Sequence, residues 1–86
     1  MSSAATSNEL AGLILQLLRA RGSGKTICPS EVARAYVPDD WRKHMPAVRQ
    51  AAFDLADAGR IVILQRGKVI DGRLAKGPIR LALREP

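Results

Sequence analysis

The side chains with the clearest chemistry in this sequence are basic or amide-bearing and fall into two groups. The first group stands at the start of an apolar helical segment and comprises Arg42, Lys43, Arg49 and Gln50. The second group lies in a glycine-containing stretch further along and comprises Arg66, Lys68, Arg73 and Lys76. Arginine can hydrogen-bond a guanine edge and glutamine an adenine edge, each through two bonds, and basic side chains on phosphates release counterions. The two groups therefore indicate a polyanionic partner.

The net charge of +6 is concentrated in the C-terminal third of the chain. Residues 1–59 hold seven Lys/Arg against six Asp/Glu, whereas residues 60–86 hold seven Lys/Arg against two Asp/Glu. Such asymmetry is typical of proteins that bind nucleic acid. Charge alone is equally consistent with a basic protein that has no such partner.

Residues that could support catalysis are sparse. His44 is the only histidine, and its place beside two basic residues is typical of a surface position. Cys28 is the only cysteine and is interpreted as a small buried residue, because a reactive thiol would have to be exposed. The sequence offers no Ser/His/Asp set, no paired carboxylates and no cluster of metal ligands. We therefore expect a protein that is not an enzyme and that has neither a cofactor nor a metal.

The segment Gly22-Ser23-Gly24-Lys25-Thr26 invites comparison with a phosphate-binding loop. That motif requires a glycine five positions before Gly24, where this chain has Arg19, and it requires a preceding strand rather than a helix. The segment is therefore predicted to be a flexible loop followed by a short β-bridge at residues 26–28.

The first half of the chain predicts two helices. Residues 1–7 are small and polar and are expected to form a disordered tail, with none of the character of a signal peptide. Thr6 and Glu9 have capping-box spacing, and apolar residues then recur at helical intervals, which predicts a helix over residues 8–21. Proline suits the first turn of a second helix over residues 29–36. Asp39 and Asp40 are expected to cap a short turn after it.

The second half predicts a third helix and two strands. The third helix is expected to run from Pro46 to Ala58 and to end at Gly59, with Phe53 at the edge of its apolar face. A run of branched residues at 61–64 and an alternating stretch at 79–83 predict strands. Gly67 and Lys68 would turn the chain, and residues 72–77 would form a basic loop.

This order of elements predicts an α+β fold, and specifically a winged helix: a helix-turn-helix of helices 2 and 3 followed by a basic hairpin, in one domain over residues 8–84. Three strings carry a resemblance: GKTICPSEVAR at 24–34, WR..MP.VR.AA..LA..G at 41–59 and KGPIRL at 76–81. They resemble the family of short bacterial proteins catalogued as domain of unknown function 3253. The resemblance covers most of the chain and implies a winged-helix-like fold. It implies no activity and no binding residues.

Binding of duplex DNA is the leading functional hypothesis, since the second helix of a helix-turn-helix enters the major groove. Arg49 and Gln50 would read bases, Arg42 and Lys43 would lie on the approach, and Arg66, Lys68, Arg73 and Lys76 would contact phosphates. The alternative is a protein-interaction or dimerisation module in which Leu15, Trp41 and Phe53 form a contact patch.

The apolar runs are too short to cross a bilayer, and the single cysteine favours a cytoplasmic location. A homodimer is kept as an alternative to a monomer.

Overall fold

The computed structural model describes residues 3–84, with side chains from Ser7 onward. The α-helices are α1 (Ser3–Arg21), α2 (Pro29–Tyr36) and α3 (Met45–Asp57). The strands are β1 (Thr26–Ile27), β2 (Ile61–Gln65), β3 (Lys68–Ile70) and β4 (Arg80–Leu83), and 3-10 turns cover Pro38–His44 and Gly72–Leu74. The predicted α+β class, with three helices and a small antiparallel sheet, is confirmed.

The four strands form one antiparallel sheet in the order β1-β4-β2-β3. β4 is central, because Leu81 pairs with Ile27 of β1 on one side and with Ile63 of β2 on the other. β2 continues into β3 through a two-residue turn at Arg66 and Gly67, whose φ angles are 54° and 80°. Two successive positive φ angles are the geometry of the tight hairpin turn that matches strand twist.

A single apolar core joins the helices to one face of the sheet. Its fully buried large side chains come from α1, β1, α2, α3, β2 and β4: Leu10, Ile14, Leu18, Ile27, Val32, Val48, Ile61, Ile63 and Leu81. α1 contacts both other helices as well as β1 and β4, while α3 contacts β2. Because successive strand residues face opposite sides, Val62, Leu64 and Arg80 lie on the other face of the sheet.

Three predictions about the N-terminal region are corrected by the structure. α1 begins at Ser3, so the segment 3–7 that was expected to be part of a disordered tail is helical, and Met1 and Ser2 lie outside the described residues. Thr6 consequently lies inside the helix rather than at its cap. Leu15, which was assigned to a surface patch, is only 8% exposed and belongs to the core.

The region between β2 and β4 is more ordered than the predicted loop. β3 was not predicted, and Gly72, expected in an exposed basic loop, is buried in a 3-10 turn. The predicted bridge near Thr26 and the bounds of α2 agree with the structure. α3 begins one residue earlier than predicted and ends at Asp57. We call residues 66–79, between β2 and β4, the wing segment.

An ion pair and several hydrogen bonds hold the start of α2 against the end of α1. Arg21 forms an ion pair with Glu31 and also donates to the carbonyl of Thr26, at 3.0 Å. Glu31 accepts a hydrogen bond from the backbone N–H of Cys28 at 2.8 Å. This backbone bond, aided by Arg21, holds the pKa of Glu31 below its usual value. α2 is therefore fixed at its N-terminus before the chain turns toward α3.

Candidate nucleic-acid interface

The outer face of α3 presents Arg49 and Gln50, as predicted. Arg49 is half-buried and forms no hydrogen bond or ion pair with the residues that the structure describes. Gln50 is exposed, but its Nε2 donates to Asp54 Oδ1 at 3.1 Å, one helical turn further along. The Arg49 guanidinium is therefore available to a ligand, whereas the Gln50 amide would have to leave Asp54 first.

The 3-10 turn before α3 holds its basic side chains in local contacts. The guanidinium carbons of Arg34 and Arg42 each lie 4.5 Å from the ring centroid of Trp41, within cation–π range. Lys43 Nζ lies 2.7 Å from Asp40 Oδ2, and this hydrogen bond raises the pKa of Lys43. Arg42 thus keeps an exposed positive charge beside α3, while the charge of Lys43 is offset by Asp40.

Four basic residues belong to the end of the sheet where β2 turns into β3. We call them the wing cluster: Arg66, Lys68, Lys76 and Arg80. Strand pairing places Lys68 opposite Gln65, and Arg80 opposite Leu64. Gln65 Nε2 donates to the backbone carbonyls of Lys76, at 2.6 Å, and Pro78, at 3.2 Å, which brings the chain around Lys76 to the same place.

The wing cluster forms no ion pair within the described residues, although the charge of Arg80 helps to lower the pKa of Glu31. A groove on this end of the sheet is lined by Arg66, Lys76 and Arg80, together with Leu64, Gln65 and Pro78. None of the four basic side chains takes part in an ion pair within residues 3–84. Arg80 instead donates from Nε to Thr26 Oγ1 at 2.9 Å and from Nη1 to Cys28 Sγ at 2.9 Å. The groove therefore concentrates positive charge that can attract an anion.

Arg73, predicted to contact phosphates, is engaged within the protein. Its guanidinium forms two hydrogen bonds with the carboxylate of Asp57 at the end of α3, one of them at 3.0 Å. Its carbon atom lies 5.5 Å from the ring centroid of Phe53. The hydrogen bonds lower the pKa of Asp57 and raise that of Arg73. Its charge is thus largely matched by Asp57.

Residues 72 and 73 of the wing segment lie against the C-terminal half of α3. Contacts of Arg73 with Asp57 and of Gly72 with Phe53 place the chain after β3 against the outer face of α3. Sequence reasoning did not include Arg80, although its alternation with buried Leu81 was the available signal. Arg80 joins the groove because strand pairing sets it beside the β2–β3 turn.

The contact patch of the alternative hypothesis does not form a continuous exposed surface. Leu15 is in the core, Phe53 is half-buried against Gly72 and Arg73, and Trp41 is contacted by two arginines. The large apolar side chains that are exposed in the described chain are Val69 (66%) and Leu74 (79%), both in the wing segment.

His44 packs edge-to-face on Tyr36, with ring centroids 5.3 Å apart. No group of three or more His, Cys, Asp or Glu within residues 3–84 is arranged to hold a metal ion. Within the same part of the chain, no helix has both the length and the apolar character needed to cross a membrane.

The described chain is thus an α+β domain in which three helices cover one face of an antiparallel sheet and a basic groove lies at one end of that sheet. The chain belongs to the DUF3253 family, described as proteins of unknown function, whose sequence profile matches residues 7–84. The resemblance noted from its sequence strings is therefore confirmed. No curated protein matches the chain.

Proposed function

We propose that this chain is a winged-helix protein that binds duplex DNA and acts as a small transcriptional regulator in the cytoplasm. It performs no catalysis on this proposal and needs no cofactor. The observation that carries it is the wing cluster: Arg66, Lys76 and Arg80 line a groove, and none of the four basic side chains of the cluster has an ion-pair partner in the described chain. Phosphates of a DNA backbone would supply the missing negative charge.

The order of elements supports the winged-helix assignment. β1 lies between α1 and α2, and the β2–β4 pair follows α3, so α2 and α3 form a helix-turn-helix with an appended wing. In such an arrangement the second helix of the pair lies in the major groove and the flanking elements lie on the backbone. Residues 72 and 73 of the wing segment pack against Phe53 and Asp57 of α3, which supports joint contact of the helix and the segment with one duplex.

The charges of α3 are less unfavourable for DNA binding than the sequence of the helix indicates. The helix carries Arg49 against Asp54 and Asp57, but Asp57 is paired with Arg73 of the wing segment. Asp54 accepts from Gln50, which keeps both of these polar groups occupied in the free protein. Gln50 is neutral, so Asp54 keeps its negative charge, and Arg49 is the basic side chain of the helix, without an ion-pair partner in the described chain. We therefore assign base recognition to Arg49 and treat Gln50 as an additional contact that requires release from Asp54.

Replacing Arg49 by alanine should relax sequence preference, whereas replacing Lys68 by glutamate should weaken binding to all sequences alike. A bidentate contact between arginine and guanine discriminates by about 1–3 kcal/mol, which corresponds to a loss of about fivefold to 150-fold in affinity for the preferred sequence. The measurement is selection of bound duplexes from a random pool, followed by affinity measurements on the selected and unrelated duplexes.

Arg19→Ala serves as the matched control for the Arg49 experiment, because Arg19 lies at the end of α1 and outside the proposed surface. This variant should select the same duplex sequence as the wild type and bind it with similar affinity. If neither Arg49→Ala nor Lys68→Glu changes DNA binding, the site is assigned wrongly. A protein that binds no duplex at all would leave the interaction-module alternative, favoured by the exposed Val69 and Leu74.

A further inference from the structure

The contact between Arg73 and Asp57 joins two elements that are distant along the chain. Arg73 belongs to the 3-10 turn Gly72–Leu74 of the wing segment, and Asp57 is the last residue of α3. Both terminal nitrogens of Arg73 bond the carboxylate, and the guanidinium also lies over Phe53 of the same helix. A paired contact of this kind fixes the orientation as well as the distance of its partners.

The residues beside Arg73 also allow the turn to lie close to α3. A Cβ atom on Gly72 would lie 2.6 Å from Ile63 Cδ1 and 2.8 Å from Phe53 Cε1, so a side chain there would require the turn or one of these two side chains to move. Asp71 caps the turn, because its Oδ1 accepts from the backbone N–H of Arg73 at 3.0 Å. The cap, the buried glycine and the ion pair together seat residues 71–74 against α3.

We propose that Arg73 is a positioning residue, which clamps the wing segment to α3 and so sets the spacing between Arg49 and the basic side chains of that segment. The sequence alone assigned Arg73 to phosphates, but its guanidinium is already satisfied by Asp57. This inference rests on the proposed function for its effect on binding, whereas the clamp itself can be measured without DNA.

The clamp should act on the local stability of the wing segment rather than on global unfolding. Both partners are solvent-exposed, and ion pairs between exposed side chains contribute little to overall stability. Segments held by few contacts open locally, with free energies well below that of global unfolding. Loss of the clamp should therefore appear as faster amide exchange in residues 68–76, with the melting temperature almost unchanged.

Asp57→Asn distinguishes a phosphate-binding role of Arg73 from a positioning role, because the two roles predict opposite changes in DNA affinity. If Arg73 binds phosphate, removing Asp57 frees its guanidinium and removes a repulsive carboxylate, so DNA affinity rises and the salt dependence steepens. If Arg73 positions the wing, affinity falls by about threefold, the size of effect typical of an exposed ion pair, with the salt dependence unchanged. An increase in affinity would overturn the proposal.

A charge-swapped double variant, Asp57→Arg with Arg73→Asp, should re-form the ion pair and restore protection of the wing segment from hydrogen exchange. Hydrogen exchange of the free protein should be about threefold faster in residues 68–76 for Arg73→Gln and close to wild type for the double variant. Circular dichroism should show all variants folded. Unchanged exchange in Arg73→Gln, or failure of the swap to restore protection, would refute the clamp. If the clamp is present but wild type binds no DNA, only the proposed function fails.

Discussion

Reversing two charges of the wing cluster, in Lys68→Glu with Lys76→Glu, should lower the affinity for duplex DNA by about 100-fold at low salt. Each substitution removes one phosphate contact and places a carboxylate where a phosphate would lie. Both lysines are exposed and outside any ion pair within the described chain, so the fold should be retained. The measurement is fluorescence anisotropy of a labelled duplex, with circular dichroism to confirm folding.

The control for this experiment is Arg19→Glu with Lys25→Glu, which changes the net charge by the same amount. Lys25 precedes β1, and β1 runs antiparallel to β4 with Thr26 opposite Ala82, so Lys25 lies toward the end of the sheet away from the wing cluster. We expect the DNA affinity of this variant to fall by less than about tenfold, because only the long-range electrostatic attraction between protein and DNA is reduced. Equal losses in the two double variants would show that net charge, rather than the wing cluster, determines binding.

Leu81→Ala should destabilise the protein by about 3 kcal/mol, within the range of 2–5 kcal/mol found for truncation of buried leucine. Leu81 is fully buried in the central strand and pairs with both Ile27 and Ile63, so its loss leaves a cavity between the sheet and the helices. A chain of this size has a free energy of unfolding of only about 4–13 kcal/mol. The measurement is the urea midpoint and its slope for wild type and variant.

Leu74→Ala makes the same chemical change on the surface and is the matched control. Leu74 is 79% exposed, so its truncation should alter the free energy of unfolding by less than about 0.5 kcal/mol. A Leu81→Ala variant as stable as the Leu74→Ala variant would contradict the assignment of β4 to the centre of the sheet.

Local sequence signals were sufficient for the helices and for most of the sheet. The prolines at the starts of α2 and α3, the glycine after α3 and the branched residues of β2 act through neighbouring backbone geometry, which sequence reasoning can treat directly. Leu15 was misplaced because the apolar stripe of α1 is wider than the minimal pattern used to predict it. α1 is packed by both other helices and by the sheet.

The wing segment was less predictable, because its structure depends on contacts far apart in sequence. β3 has only three residues, and its pairing to β2 depends on the positive φ angles of Arg66 and Gly67. Arg73 was predicted to contact phosphates, although it pairs directly with Asp57, which is 16 residues away in the sequence. No periodicity or spacing in the sequence indicates that contact.

The central claim is that the protein engages a DNA backbone through the wing cluster, and the dependence of affinity on salt tests it most directly. Four phosphate contacts would give a slope of about −3.6 in a plot of log affinity against log salt concentration. We predict a slope between about −3 and −5 for wild type and a shallower one, by about 2, for Lys68→Glu with Lys76→Glu. Absence of measurable duplex binding at about 50 mM salt, or binding that does not vary with salt, would contradict the proposal.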